Sequence, residues 1–300
     1  MTSRSLSKLV FHYHAYVDTF REPSGVLPLM LRLKLLHSCR VVTEVRGIAL
    51  GEQTLPGHLG EACALLHDTA RYLQFHAFGT FRDSESFDHA ACGVDIIQQQ
   101  NWLQGLPAEE RRCILSAVRY HNKREVPPSL KGLEADLVHL VRDGDKLDIF
   151  RILDEAVRDG SLEHNPEIVW GLRKEGAPNP EVVEAVSKGE TVSYDAVRSF
   201  VDFVLVQVGW LNSGLHFETS ARFARKHQFL ESREKLLKTL TDDHESISRC
   251  CQAARKSLEG RAIAAKAKVA AEQAAAEQAA ATPPTAEAGK GKKGKDKSKE

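Results

Sequence analysis

The stretch Leu65–Gln74, LLHDTARYLQ, decides how this chain is read. An apolar run delivers His67 and Asp68 side by side, with Arg71 one turn later. Imidazole and carboxylate are both good ligands for a divalent ion that accepts nitrogen and oxygen donors. An isolated His-Asp pair occurs often by chance, so its meaning depends on where the other histidines and aspartates fall.

Working outward, nearly everything before residue 260 has helical period, and no strand-period run or repeat appears in that part. The chain therefore reads as all-α. Residues 8 to 20 form a packing helix, broken by Pro23, Gly25 and Pro28. From Leu29 to Ala49 a longer helix sets His37, Val41, Val45 and Ile48 on one face. A helix over 57–73 carries the His-Asp pair, with Leu59, Cys63, Leu66 and Ala70 inward. The following HAFGTFRDSESF reads as a loop, with Ser84 or Ser86 available to cap a helix bearing His89, Gly93, Ile96 and Ile97 on one face. The next helix starts at Pro107, has Glu109 and Glu110 in its first turn, and ends at His121. A helix over 134–157 repeats Val138, Val141, Asp145, Ile149 and Ile152, so that Asp145 interrupts an apolar stripe and needs a charged partner or a metal.

The second half carries less chemistry. Short helices broken by Gly176, Pro178 and Pro180 are expected over 166–188, an apolar helix over 194–211, and one or two amphipathic helices over 216–258. Beyond residue 261 an Ala-rich segment and then a Lys- and Gly-rich end read as a tail, disordered by composition in its last part. The organisation expected is a metal-binding domain over 1–160, a helical extension over 161–260 and a tail over 261–300.

Lys plus Arg and Asp plus Glu both number 41, a balance that argues against a general nucleic-acid or membrane-surface role. The six lysines of residues 289–300 read as a solubilising end or a weak anionic tether. The N-terminus lacks a signal-peptide pattern, and the most apolar run, 203–211, is far short of a bilayer span, so a cytoplasmic location is expected. Six cysteines include no CxxC pair and read as reduced thiols. Cys250 and Cys251, in a charged stretch, read as surface neighbours.

The inward polar residues, in order, are His37, His67, Asp68, His89, His121 and Asp145. Buried ionisable groups are costly unless paired or coordinating, and four imidazoles with two carboxylates on five helices favour a metal centre over a hydrogen-bond network. Six ligands exceed what one ion takes while keeping an open position. Two ions bridged by a carboxylate is the natural count.

This order resembles the HD-domain superfamily of metal-dependent phosphohydrolases, whose pattern is His, His-Asp, two further His in dinuclear members, and a final Asp. The residues that carry the resemblance are His37 in LKLLHSCRVV, His67 and Asp68 in LLHDTAR, His89 in SFDHAACG, His121 in AVRYHNK and Asp145 in VRDGDKLD. It extends over about residues 8 to 240 and is closer to one bacterial branch with LLHDIGRFEQ, YHN and RDADKLD motifs. Thr69-Ala70 and Gly144 depart from that branch without touching a ligand. The GYP element of cyclic-di-GMP phosphodiesterases and the signatures of stringent-response enzymes are absent.

The resemblance implies a helical bundle in which His37, His67, Asp68 and Asp145 hold one divalent ion, and His89, His121 and a bridging Asp68 hold a second. Mn, Fe, Mg, Co, Ni and Zn are not distinguished by this donor set. A metal-activated hydroxide would then cleave a phosphomonoester or phosphodiester of a nucleotide or related small molecule. By motif, Arg71, Arg82 and Lys146 are the cations nearest the phosphoryl oxygens, and Gln74, Asp83, Asp88 and Asn122 are available to orient ligands. Two other readings use the same ligands: a non-catalytic nucleotide sensor and a dinuclear iron oxygenase.

Overall fold

The computed structural model describes residues 1–53, 55–164, 169 and 171–281. The fold is all-α: among the described residues the only β pairing is an isolated bridge between Arg173 and Ser199. Met1–Ala262 forms one compact unit, and the described residues from Ile263 onward fall outside it. The Lys-rich end of the expected tail, residues 282–300, lies outside the described residues, as do 166–168 and 170 of the expected broken helices.

Helix α1 (Ser3–Asp18) is capped by the Thr2 hydroxyl, which accepts from the Ser5 amide. After the Pro- and Gly-containing turn comes α2 (Leu29–Glu52), whose Val41, Val45 and Ile48 are fully buried on the face that carries His37. The stretch expected as one helix over 57–73 is two. α3 (Gly57–Leu66) ends before the His-Asp pair, and α4 (Arg71–Phe78) starts after it. Between them the Thr69 amide donates to Leu66 O at 3.2 Å and the Arg71 amide to Asp68 O at 3.0 Å, tight three-residue turns that end the α ladder. The Thr69 hydroxyl also donates to Leu66 O, so the departure at this position adds a second donor to the carbonyl at which the helix breaks.

α5 (His89–Gln99) starts not at Ser84 or Ser86 but at Asp88, whose carboxylate accepts from the amides of Ala90 and Ala91. A negative side chain outranks a hydroxyl there because it also meets the positive end of the helix dipole. α6 (Ala108–Tyr120) and α7 (Leu133–Asp159) follow with nearly the bounds the periodicity predicts. α2 and α7 pack closely, and Gly144 permits it: a Cβ there would lie 2.7 Å from Val45 Cγ2, against a β-branched side chain with little freedom to yield.

In the second half, α8 (Pro180–Lys188) precedes α9 (Phe200–Gly209), which begins later than its apolar run because Ser199 and Asp202 form a reciprocal capping box. α9 is buried on every side, the signature of a helix surrounded by others. A π turn over Trp210–Gly214 leads to α10 (Glu218–Lys226), α11 (Phe229–Leu240) and α12 (His244–Ala281), three helices where one or two were expected. Cys250 and Cys251 are fully buried rather than surface neighbours, and Cys250 Sγ lies 3.5 Å from Val183 O of α8. Ile247, Cys250, Cys251, Ala254 and Leu258 form a buried stripe at spacings of three and four, which the flanking charges masked. Among the described residues, no helix is long and apolar enough to cross a membrane.

Candidate metal centre

The five elements deliver their polar residues from different positions. His37 lies within α2 and Asp145 within α7, while His67 and Asp68 follow α3, His89 opens α5 and His121 caps α6. Helix ends let several elements bring side chains to one point without their cylinders colliding. All four imidazoles and Asp68 are buried, and Asp145 is about one-fifth exposed at the side chain.

Asp68 is the centre of the arrangement. Its Oδ1 lies 3.4 Å from His89 Nε2 and 3.6 Å from His121 Nε2. Its Oδ2 lies 3.6 Å from both His37 Nε2 and His67 Nε2. Asp145 Oδ1 completes the second group at 3.2 Å from His37 Nε2 and 3.9 Å from His67 Nε2. Each oxygen of one carboxylate thus faces its own pair of imidazoles. The six residues singled out from the sequence come together in one place; His37, His67 and Asp68 form one buried group that could hold a metal ion, Asp68, His89 and His121 form another, and Asp145 stands beside the first.

The outer nitrogens fix which inner atoms carry lone pairs. His67 Nδ1 faces Ala64 O at 2.7 Å and His121 Nδ1 faces Val118 O at 2.8 Å; a carbonyl can only accept, so both Nδ1 atoms carry hydrogen. His37 Nδ1 faces Asp148 Oδ2 and His89 Nδ1 faces Asp83 Oδ2, each at 2.7 Å. This is the carboxylate or carbonyl backing that orients metal-ligating imidazoles. The Nε2 atoms then point inward as acceptors. Those of His37 and His67 are buried without a hydrogen bond, and those of His89 and His121 face each other at 3.0 Å.

Protonation does not relieve this crowding at His67 or His89. Burial pushes the His67 imidazole down to about 4, and burial with the nearby Arg71 pushes His89 down to about 3. At His37 burial and Lys34 act downward, but the carboxylates of Asp145 and Asp148 outweigh them and raise its affinity for a proton. Burial disfavours the Asp68 anion, yet Lys34, His67 and Arg71 hold it well below the usual carboxylate range. Imidazole nitrogens without hydrogen-bond partners that converge on an ionised carboxylate are a donor set that a divalent metal fits.

The residues around the centre divide unevenly. Asp83 is the busiest support: it accepts from His89 Nδ1, from Gln74 Nε2 at 2.9 Å, from Arg71 Nη1 at 3.0 Å and from Asn122 Nδ2 at 3.3 Å. Arg71 also reaches Asp68 Oδ1 at 3.4 Å, Gln74 Oε1 and Phe81 O. Its guanidinium is thereby committed to holding carboxylates. Asp88, in addition to capping α5, pairs with Lys123. Arg82 pairs with Glu85 near the surface, and Lys146 Nζ donates to Gly214 O at 2.6 Å. Both residues also line the cavity into which the centre opens.

Three residues beside the centre were not singled out as site residues from the sequence. Lys34 Nζ lies 2.8 Å from Asp68 Oδ2, Asp148 backs His37, and Arg40 Nε donates to Asp148 Oδ1 at 2.6 Å. A signal was present in the spacing: Lys34 and Arg40 stand three residues either side of His37, and Asp148 three after Asp145, so each shares a helix face with a ligand. Burial of Asp148, which is complete, could not be read from a motif that is charged throughout.

The centre opens into a cavity of about 1000 Å³ whose lining includes Lys34, Asp68, His121 and Asp145. Comparison of the chain with protein-family models, curated proteins and solved structures gives no match.

Proposed function

We propose that this protein is a metal-dependent phosphohydrolase of the HD-domain type, acting on a phosphomonoester or phosphodiester of a nucleotide or related small molecule. The observation that carries the reading is the division of Asp68, with one oxygen toward His89 and His121 and the other toward His37 and His67. A carboxylate shared in this way suits two ions: His37, His67, Asp68 and Asp145 would hold one, and His89, His121 and Asp68 the other. Bound divalent ions would supply a water acidic enough to act as nucleophile near neutral pH and a counter-charge for phosphoryl oxygens.

The chain's own groups do the rest. Lys34 lines the cavity with its ammonium beside Asp68, and it is the cation best placed to meet a phosphoryl oxygen. Arg71 acts as a positioning residue, since its contacts are to Asp68, Gln74 and Asp83. Asp83 and Asp148 hold His89 and His37 in the tautomer that presents Nε2 inward. The complete ligand set favours an enzyme over a sensor.

The test is metal analysis of the purified protein followed by phosphate release across nucleotide and phosphodiester substrates, with Lys34→Met alongside. Retained metal and a loss of turnover of roughly 10²–10³ in Lys34→Met, the scale for one transition-state donor, support the reading. Tight nucleotide binding without consumption would favour the sensor. Iron with O₂-dependent turnover and no phosphate release would favour the oxygenase.

A further inference from the structure

The cavity continues away from the metal centre between one face of α7 and one face of α9. Ile149, Ile152 and Ala156 line it from α7, Phe203 and Val206 from α9, and Trp210 from the π turn that continues α9. These spacings of three and four place each set on a single helix face. Gln207 is the polar residue on that face of α9, and it is fully buried.

The orientation of the Gln207 amide is set by chemistry. Arg233 Nε lies 2.7 Å from its oxygen, and a guanidinium N–H can only donate, so the atom facing Arg233 is Oε1 and the other is the NH₂ group. Arg233 is itself fixed: it is fully buried and donates to Phe150 O at 2.6 Å, to Ser232 Oγ at 2.6 Å and to Asp154. Nε2 therefore cannot exchange places with Oε1, and it has no hydrogen-bond partner among the described residues. A buried donor left unsatisfied is destabilising, so its persistence at the wall of a cavity points to a ligand atom that accepts from it.

Position along α7 gives the scale. Phe150 and Asp154, to which Arg233 is tied, follow Asp145 by five and nine residues, or about 8–14 Å at ~1.5 Å per residue. A phosphate at the metal centre joined through a sugar-sized linker to a flat group spans this distance. We infer that Gln207 is a specificity-determining residue: its Nε2 donates to a carbonyl of a flat, otherwise apolar group seated between α7 and α9, the chemistry of a nucleobase with an oxo substituent. This rests on the phosphohydrolase reading only for the placement of the phosphate.

The experiment measures binding separately from turnover. Phosphonate analogues of inosine and adenosine monophosphate, in which a P–C bond replaces the cleavable ester bond, are titrated calorimetrically into the metal-loaded protein, with octylphosphonate as a probe that has no acceptor. Wild type should bind the oxo-bearing inosine analogue roughly tenfold tighter than the amino-bearing adenosine analogue, the equivalent of one hydrogen bond. Gln207→Glu keeps an oxygen for Arg233 and turns the donor into an acceptor, so the preference should invert while octylphosphonate binding holds. Gln207→Met, which has neither group, should show no preference.

Equal binding of the two analogues by wild type would overturn the inference without any variant. So would an unchanged preference in Gln207→Glu with native melting temperature and metal content. A preference that inverts as expected, with no phosphate released from inosine monophosphate, would leave the subsite standing and remove the hydrolase reading instead.

Discussion

Two buried polar regions of this molecule invite comparison, because they use similar charges to opposite effect. Around Arg233, the guanidinium finds its acceptors within the protein: it meets Gln207, Phe150 O, Ser232 and Asp154, and stands 5.3 Å from the centre of the Phe150 ring. Asp143 behaves alike, accepting from the backbone amides of His216 and Phe217 at 2.9–3.0 Å. Around Asp68, four imidazole Nε2 atoms converge on a carboxylate that also accepts from Lys34 and Arg71. The difference teaches how to tell a structural network from a site: the second gathers several imidazole nitrogens on one carboxylate, and those of His37 and His67 have no hydrogen-bond partner.

The comparison is put at greatest risk by Asp68→Ala. Removing the carboxylate that both imidazole pairs face should abolish metal retention, read by elemental analysis, and with it phosphate release. Metal content near that of wild type would mean that the two groups do not depend on the shared residue.

Arg233→Ala should do the reverse. It leaves Gln207 Oε1 buried without a donor and Asp154 without its ion-pair partner, and breaking a buried charged network of this kind costs about 3–5 kcal/mol. Denaturant unfolding should report that loss, while the fraction that remains folded keeps its metal. Loss of metal at undiminished stability would place Arg233 in the site rather than in the scaffold.

Asp83→Ala sharpens the boundary between the two kinds of network, since Asp83 touches a ligand without facing the centre. Metal affinity should fall by roughly 10–100-fold, the usual range for an outer support of a histidine ligand, and competition with a chelator would measure it. The mutant should otherwise fold normally.

The smallest effect concerns His139 and His216, which stack at 3.9 Å on the cavity wall outside both networks. Burial, followed by the neighbouring cations, pushes the His139 imidazole from 6.5 down to about 4. Because the folded value is depressed, the unfolded chain binds the extra proton first, so stability is intact above about 6.5 and declines as pH falls toward 4. His139→Gln should flatten the fall in melting temperature over that window. An unchanged acid limb would assign it to other groups.

Much of this was legible in the order of residues. The periodicity of α2, α6 and α7 located His37, His121 and Asp145 on inward faces, because a helix repeats every 3.6 residues whatever it packs against. The same reasoning ran the helix through His67 and Asp68, since propensity has no term for a turn closed by the Thr69 hydroxyl. It also assigned Cys250 and Cys251 to the surface, where local charge outweighed a stripe of five buried residues.

The sequence by itself determined the helical class and the set of imidazoles and carboxylates that share a site, since both follow from local pattern and donor chemistry. Only the tertiary structure decided how that site is wired. That Lys34 leans on Asp68, that Arg71 is held by Asp83, and that Lys146 donates to Gly214 O depend on distances between residues apart in the chain. A long cationic side chain can reach partners in many directions, and the one it takes is set by which acceptor the packed helices leave within hydrogen-bond range.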